Sequence, residues 1–196
     1  MESLFDMVRS SLGNDAVRQI SNELGQDTKK TEDAVSAALP MLIGALSKSA
    51  RNDNADGLAR ALERDHDGAI LNNVQDFVRN GNFADGAGIL GHVLGSKKEQ
   101  AAAAVGGSAG MENEKASSLM AMLAPVVMGA LGKVKREQGL DAGALTRVLA
   151  GEEREIEKKA PGVMGALSGM LDADGDGDTD MADLLAQGRR TLSRFF

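Results

Sequence analysis

Apolar positions along this chain recur every three and four residues nearly from end to end, the spacing that lines one face of a helix. Leu4, Phe5, Val8 and Leu12 share a face of a helix predicted over 3–12, which Gly13-Asn14 ends. Ala16, Ile20 and Leu24 mark a second over 15–24, with Gly25 as its stop. Asp27 or Thr28 is placed to cap a long, strongly apolar helix over roughly 28–50. A polar turn at 51–54 leads to a short amphipathic helix over 55–63. Two related pieces follow, 67–71 and 85–95; in each an aspartate is expected to cap a short helix that buries Ile-Leu, with glycine permitting a tight entry. Phe77 and Phe83 are expected to seal the space between them. A helix over 97–105 is read as running into a flexible break at Gly106-Gly107-Ser108. A second long apolar helix spans 113–137, then a helix over 141–150, and a charged segment, 152–159, reads as a solvated helix face.

The two long apolar helices carry the same motif. Pro40-x-x-x-Gly44-Ala45-Leu46 and Pro125-x-x-x-Gly129-Ala130-Leu131 each place a proline inside a helix, and a third copy, Pro161-x-x-x-Gly165-Ala166-Leu167, lacks matching flanks. An interior proline removes one donor and clashes with the preceding turn, at about 3 kcal/mol. A kink is therefore expected at Pro40 and at Pro125, freeing the carbonyls of Ser36 and Ala121. Gly44 and Gly129, one turn on, have no Cβ and would let another backbone approach closely. Gly25 and Gly110, then Lys48 and Lys133, match at the same distance; Leu58-Ala-Arg60-Ala-Leu62 matches Leu145-Thr-Arg147-Val-Leu149 after a two-residue slip. These matches read as an internal duplication of about 85 residues forming a closed pair around one core.

Composition narrows the class. Aromatics are five Phe with no Trp or Tyr, and β-branched residues are too dilute for alternating strands, which favours close helix packing. A net charge of −7 argues against bulk binding of nucleic acid, where neutralising phosphate dominates. The absence of cysteine removes disulfides, thiolate metal sites and cysteine nucleophiles together. No charged stretch followed by an apolar core opens the sequence, and the longest apolar run, 119–131, is too short to cross a bilayer. The expectation is a soluble, cytoplasmic protein.

The run 85–95 followed by Leu123-Ala-Pro-Val-Val-Met-Gly-Ala-Leu131 resembles the bacterial helical family of domain of unknown function 937, the YidB-like proteins. The resemblance implies an all-helical fold, covers most of 1–151, and extends to the acidic tail that relatives carry. It implies no activity and no catalytic residues.

One stretch has definite chemistry. In Asp172-Ala-Asp174-Gly-Asp176-Gly177-Asp178-Thr179-Asp180-Met-Ala-Asp183, carboxylates fall at the first, third, fifth, ninth and twelfth places of an EF-hand loop, with glycine at the sixth, where the chain must turn. Calcium takes six to eight oxygens, and this spacing gathers them around one point. Asp172, Asp174 and Asp176 would ligate through side chains, Asp178 through its carbonyl, Asp180 directly or through water, and Asp183 would close the shell. Aspartate in the last place resembles the dockerin-type loop. Asp183 is shorter than the usual glutamate, and Thr179 stands where an aliphatic residue pairs with a second loop. Calcium is the expected ion and magnesium the alternative. The segment 181–196 would follow as the outgoing helix, with Met181, Leu184, Leu185, Leu192, Phe195 and Phe196 on one side and Arg189, Arg190 and Arg194 on the rest. It is expected to pack on the body, or otherwise to meet a partner or an acidic lipid surface.

Ile20–Gly25 followed by Lys29-Lys30-Thr31 invites a helix-turn-helix reading, but Glu32 and Asp33 would face phosphate and the helix continues into an apolar core segment. His66 and His92 read as a turn residue and a boundary histidine, and no nucleophile–base order or phosphate loop assembles. The expected architecture is all-α: a duplicated bundle with proline-kinked core helices over 1–160, its repeats at roughly 15–65 and 100–151 joined by 66–99, and a calcium-loop module over 161–196. The expected role is a non-enzymatic interaction or assembly protein with a protein partner or self-association. No nucleic acid is expected, and membrane contact would be at most peripheral. The alternative is a DNA-binding regulator.

Overall fold

The computed structural model describes residues 3–81 and 83–159, and all its regular elements are helical. The chain enters at Ser3, whose Oγ accepts the backbone N–H of Asp6 at 3.0 Å and so caps α1 (Leu4–Leu24). Within α1, Gly13 adopts φ 51°, ψ 179°, and the helix breaks there into the two predicted pieces. Leu4, Val8 and Leu12 on one piece and Ala16, Ile20 and Leu24 on the other are buried.

Gly25 closes α1 in the left-handed region, with its own N–H on Asn22 O and that of Gln26 on Ser21 O. Asp27 then caps α2 (Thr28–Ser49), its Oδ1 accepting from the backbone of Lys29 and Lys30 at 2.9 and 3.3 Å. Pro40 does not end α2, and every residue from Ala38 to Ser47 is buried. A helix apolar on all sides must be enclosed by others, and α2 packs on α1, α6, α7 and α8.

The expected polar turn is instead a single π-helical turn, Ala50–Asn54, continuous with α2 and with α3 (Ala55–Asp65). Burial of Ala50 holds the wider turn in helical register. Gly68, in the left-handed region, holds the cap position of a short 3-10 turn, Ala69–Asn72; the expected cap Asp67 stands one residue earlier, its Oδ1 accepting the N–H of Ala69 at 2.9 Å. A short helix α4 (Val74–Asn80), not predicted, buries Val74 and Val78 against α1. Phe77 and Phe83 meet edge to face at 5.9 Å. In α5 (Ala84–Leu94) Asp85 lies in the first turn and makes no cap; Phe83 holds that position without a side-chain bond. Of the two Ile-Leu pairs only Leu90 is buried; Ile70, Leu71 and Ile89 are half-buried.

After a 3-10 turn (Gly95–Lys97), α6 (Lys98–Ala109) continues straight through Gly106-Gly107-Ser108, which is no break. Gly106 is buried there, and a Cβ would come 2.6 Å from Met111 O. Gly110, at φ 61°, ends α6 as Gly25 ends α1, and α7 (Asn113–Gln138) follows through Pro125 with every residue from Leu119 to Gly132 buried. Length and composition alone would let α7 cross a membrane, but its apolar window is 83% buried against the surrounding helices. It packs on α1, α2, α3, α5 and α6. The last two predicted pieces are one helix, α8 (Ala142–Lys159), whose first turn donates the N–H of Ala144 to Asp141 Oδ1 at 2.6 Å. Its charged half is no purely solvated face: Ile156 is buried, and Glu153 Oε2 accepts from the buried Ser47 Oγ at 2.9 Å and from Arg51.

Contacts between the helices run in crosswise pairs. As α1 packs on α7, α6 packs on α2; as α3 packs on α7, α8 packs on α2.

Candidate functional site

Between α3, the π turn and α5 the surface opens into a groove of about 540 Å³. Its size is in the range of ligand sites, roughly 300–1,000 Å³. The floor is apolar: Leu58 and Ala61 from α3, Ile89 and Val93 from α5, and Met128 from α7 beneath. The spacing that makes α3 and α5 amphipathic turns these residues inward. A smaller recess of about 240 Å³ continues it past Ser49, Asn54 and His92 to Lys48 at the end of α2.

Both histidines of the chain line this groove, although 26 positions separate them, 66 against 92. His92 is on an exposed turn of α5 with Nδ1 3.2 Å from Gly88 O. A carbonyl only accepts, so Nδ1 carries the hydrogen and neutral His92 presents Nε2 as an acceptor. His66 ends α3, half-buried, with its carbonyl pressed onto the face of Gly132 in α7. Neither imidazole hydrogen-bonds a carboxylate among the described residues.

Arg64 and Asp65 on the rim bind each other at 2.7 Å. The hydrogen bond from Arg64 holds the Asp65 carboxyl below the usual range and raises Arg64 in turn. Both side chains are exposed, so the pair contributes little to stability. Asp85 stands opposite, exposed in the first turn of α5.

The described residues contain no cluster of three or more histidine, aspartate or glutamate side chains able to hold a metal. The groove offers an apolar floor with polar edges, Arg64, Asp65, His66, Asp85 and His92 among them. A second depression, about 510 Å³ beside Gly139, is crossed by Lys135, whose side chain is largely buried and bonds Glu63 at 2.6 Å.

The sequence-predicted ligands Asp172, Asp174, Asp176, Asp178, Asp180 and Asp183 lie outside the described residues, as do the motif at Pro161 and the run 181–196. The helix-turn-helix reading meets a buried core helix: from Ala38 to Ser47 α2 has no free face, and Lys29 Nζ is tied to Asp33 at 2.8 Å. Arg18, Lys29 and Lys30 are exposed but interleaved with Asp27, Glu32 and Asp33, so no basic stripe forms. The groove itself was missed by sequence reasoning. Its walls come from segments with ordinary amphipathic patterns, and no local signal says that two such faces leave a gap.

No curated protein and no solved structure matches the chain. One family model does, described as "Bacterial protein of unknown function (DUF937)", over residues 6–134, from the first turn of α1 to near the end of α7. That span takes in the groove, Pro40, Pro125 and α1 to α7 of the core but stops before α8, and with more than half of the chain matched, this protein belongs to the bacterial family of unknown function DUF937.

Proposed function

We infer that this is a non-enzymatic, cytoplasmic interaction module. Its α3–α5 groove would receive an amphipathic helix, from a protein partner or from self-association. The observation that carries this reading is the apolar groove floor, in which Ile89 and Val93 are half-buried and Leu58 and Met128 lie buried beneath them. Helix-in-groove recognition needs an apolar floor of this kind and polar groups at the edge to set direction.

The body reads as a duplicated bundle. Gly25 and Gly110 share the left-handed conformation, α2 and α7 begin two residues after Gln26 and Met111, and the paired contacts exchange partners between the halves. The finest support is local: Glu153 of α8 bonds Ser47 of α2, while His66 of α3 presses on Gly132 of α7, and these positions correspond in the two repeats.

The acidic loop 172–183 is read as a calcium site on the spacing of its six aspartates, with magnesium as the alternative ion. A bare cluster of carboxylates repels itself, so cation binding would order the loop. Light scattering of the full chain in calcium and in chelator tests both parts. The expected result is a change in assembly state or hydrodynamic size with calcium; identical particles in both, with no heat of calcium binding by calorimetry, would overturn the metal-linked reading.

A further inference from the structure

Ile89 and Val93 in the groove floor are only half-buried, and on the rim Arg64 is committed to Asp65 at 2.7 Å while Asp85 has no hydrogen-bond or ion-pair partner among the described residues. Arg64 and Asp65 neutralise each other, so Asp85 leaves the rim between α3 and α5 with one negative charge above an apolar floor; Lys48 lies farther on, in the adjoining recess. The chain supplies the complement. Its run 181–196 sets apolar residues ending in Phe195-Phe196 against Arg189, Arg190 and Arg194, net positive where the rim is negative. Residues 160–180 join it to α8 and, extended at about 3.4 Å each, span roughly 70 Å; a domain of this length is only about 40 Å across. The groove is within reach from any exit.

We propose that the groove between α3 and α5 seats this chain's own run 181–196, its apolar side on Leu58, Ile89, Val93 and Met128 and its arginines toward Asp85. The proposal rests on the interaction-module reading and names the first occupant of the groove. An outside helix must then displace the chain's own segment, which makes the C-terminal run a competitor for partner binding.

Because the chain has no cysteine, a single label is unambiguous. The full chain carrying His92→Cys is coupled to a benzophenone, mixed with an equal amount of nitrogen-15 chain, and irradiated at low micromolar concentration in calcium and in chelator. Peptide mass spectrometry is expected to find cross-links from position 92 to 181–196 within one isotope, and Asp85→Lys is expected to lower their yield several-fold. Gly88→Cys, at an open and exposed position in the groove lining, serves as a second label should the first variant fail to fold. Mixed-isotope cross-links would assign the groove to a second copy and overturn the proposal. So would the absence of any product with 181–196 in both conditions. Cross-links equal in calcium and chelator, together with no calcium heat, would sink the calcium reading and leave the groove assignment standing; calcium heat without intrachain cross-links would do the reverse.

Discussion

Gly86 of α5 seats directly on the backbone carbonyl of Ala121 in α7, the acceptor that Pro125 leaves without its helical donor. A proline in a core helix strands one carbonyl a turn earlier, and a glycine from a crossing helix brings its own backbone against that oxygen. Weak Cα–H contacts of this kind recur where helices approach closely. The wall of the groove is thus positioned by a defect in the helix beneath it.

A Cβ at Gly86 would overlap Ala121 O, and one at Gly132 would overlap His66 O. Gly86→Ala and Gly132→Ala are therefore expected to destabilise the fold by about 1–3 kcal/mol each, as overpacking does. Gly91 has open space around it, and Gly91→Ala should raise stability by roughly 0.5–1 kcal/mol through helix propensity. Urea denaturation of the full chain measures all three; equal effects at 86 and 91 would remove the close-approach account.

Gly25 and Gly110 stand at φ 56° and 61°, and a methyl group at either would meet open space, so any cost of a side chain there is conformational. Alanine at either should cost about 1–2 kcal/mol. If the halves are related by duplication, the two costs should agree, and thermal melts of the two variants make the comparison.

Burial by itself pushes the Glu153 carboxyl up, yet hydrogen bonds from Arg51 and Ser47 and the charges of Arg51 and Arg154 outweigh it and leave the group below its ordinary 4.5. A carboxyl depressed in the folded state stabilises above its unfolded value and loses that contribution as pH falls through the folded one. Stability should decline below about pH 4.5 in part through this group, and Glu153→Gln should flatten that part of the profile. Glu153→Ala leaves the buried Ser47 hydroxyl without this acceptor, at about 1–3 kcal/mol. An unchanged acid limb in the glutamine variant would show that the α2–α8 link does not titrate.

For the acidic loop, calorimetry with calcium is expected to give a binding heat that Asp172→Ala abolishes, while far-UV circular dichroism of the helical body stays the same. Retention of the heat in that variant would place the ion elsewhere.

The caps were readable because their chemistry is local. Asp27 and Gly25 act on backbone groups within a few residues, and both proline-bearing helices were visible as long apolar runs. Errors fell where a neighbour decides. Gly106-Gly107-Ser108 looks like a break, but packing against Met111 and Ala116 keeps it helical. Residues 152–159 look like a free charged face, but Ile156 and Glu153 have partners on the body. Val74, Phe77 and Val78 are too few to announce α4 until α1 covers them.

By itself the sequence determined that this chain is helical, that Gly25 stops a helix and Asp27 starts the next, which two helices are long and apolar, and that six aspartates near its end stand at cation-ligand spacing. Periodicity and capping act through near neighbours, so a linear reading contains them. Only the tertiary structure decided that α5 crosses α7 at Gly86, that His66 and His92 share one groove, and that Ser47, Arg51 and Glu153 form a link across the bundle. Those relationships depend on which faces meet in space, and residues far apart in the chain carry no mark of that meeting until the core has packed.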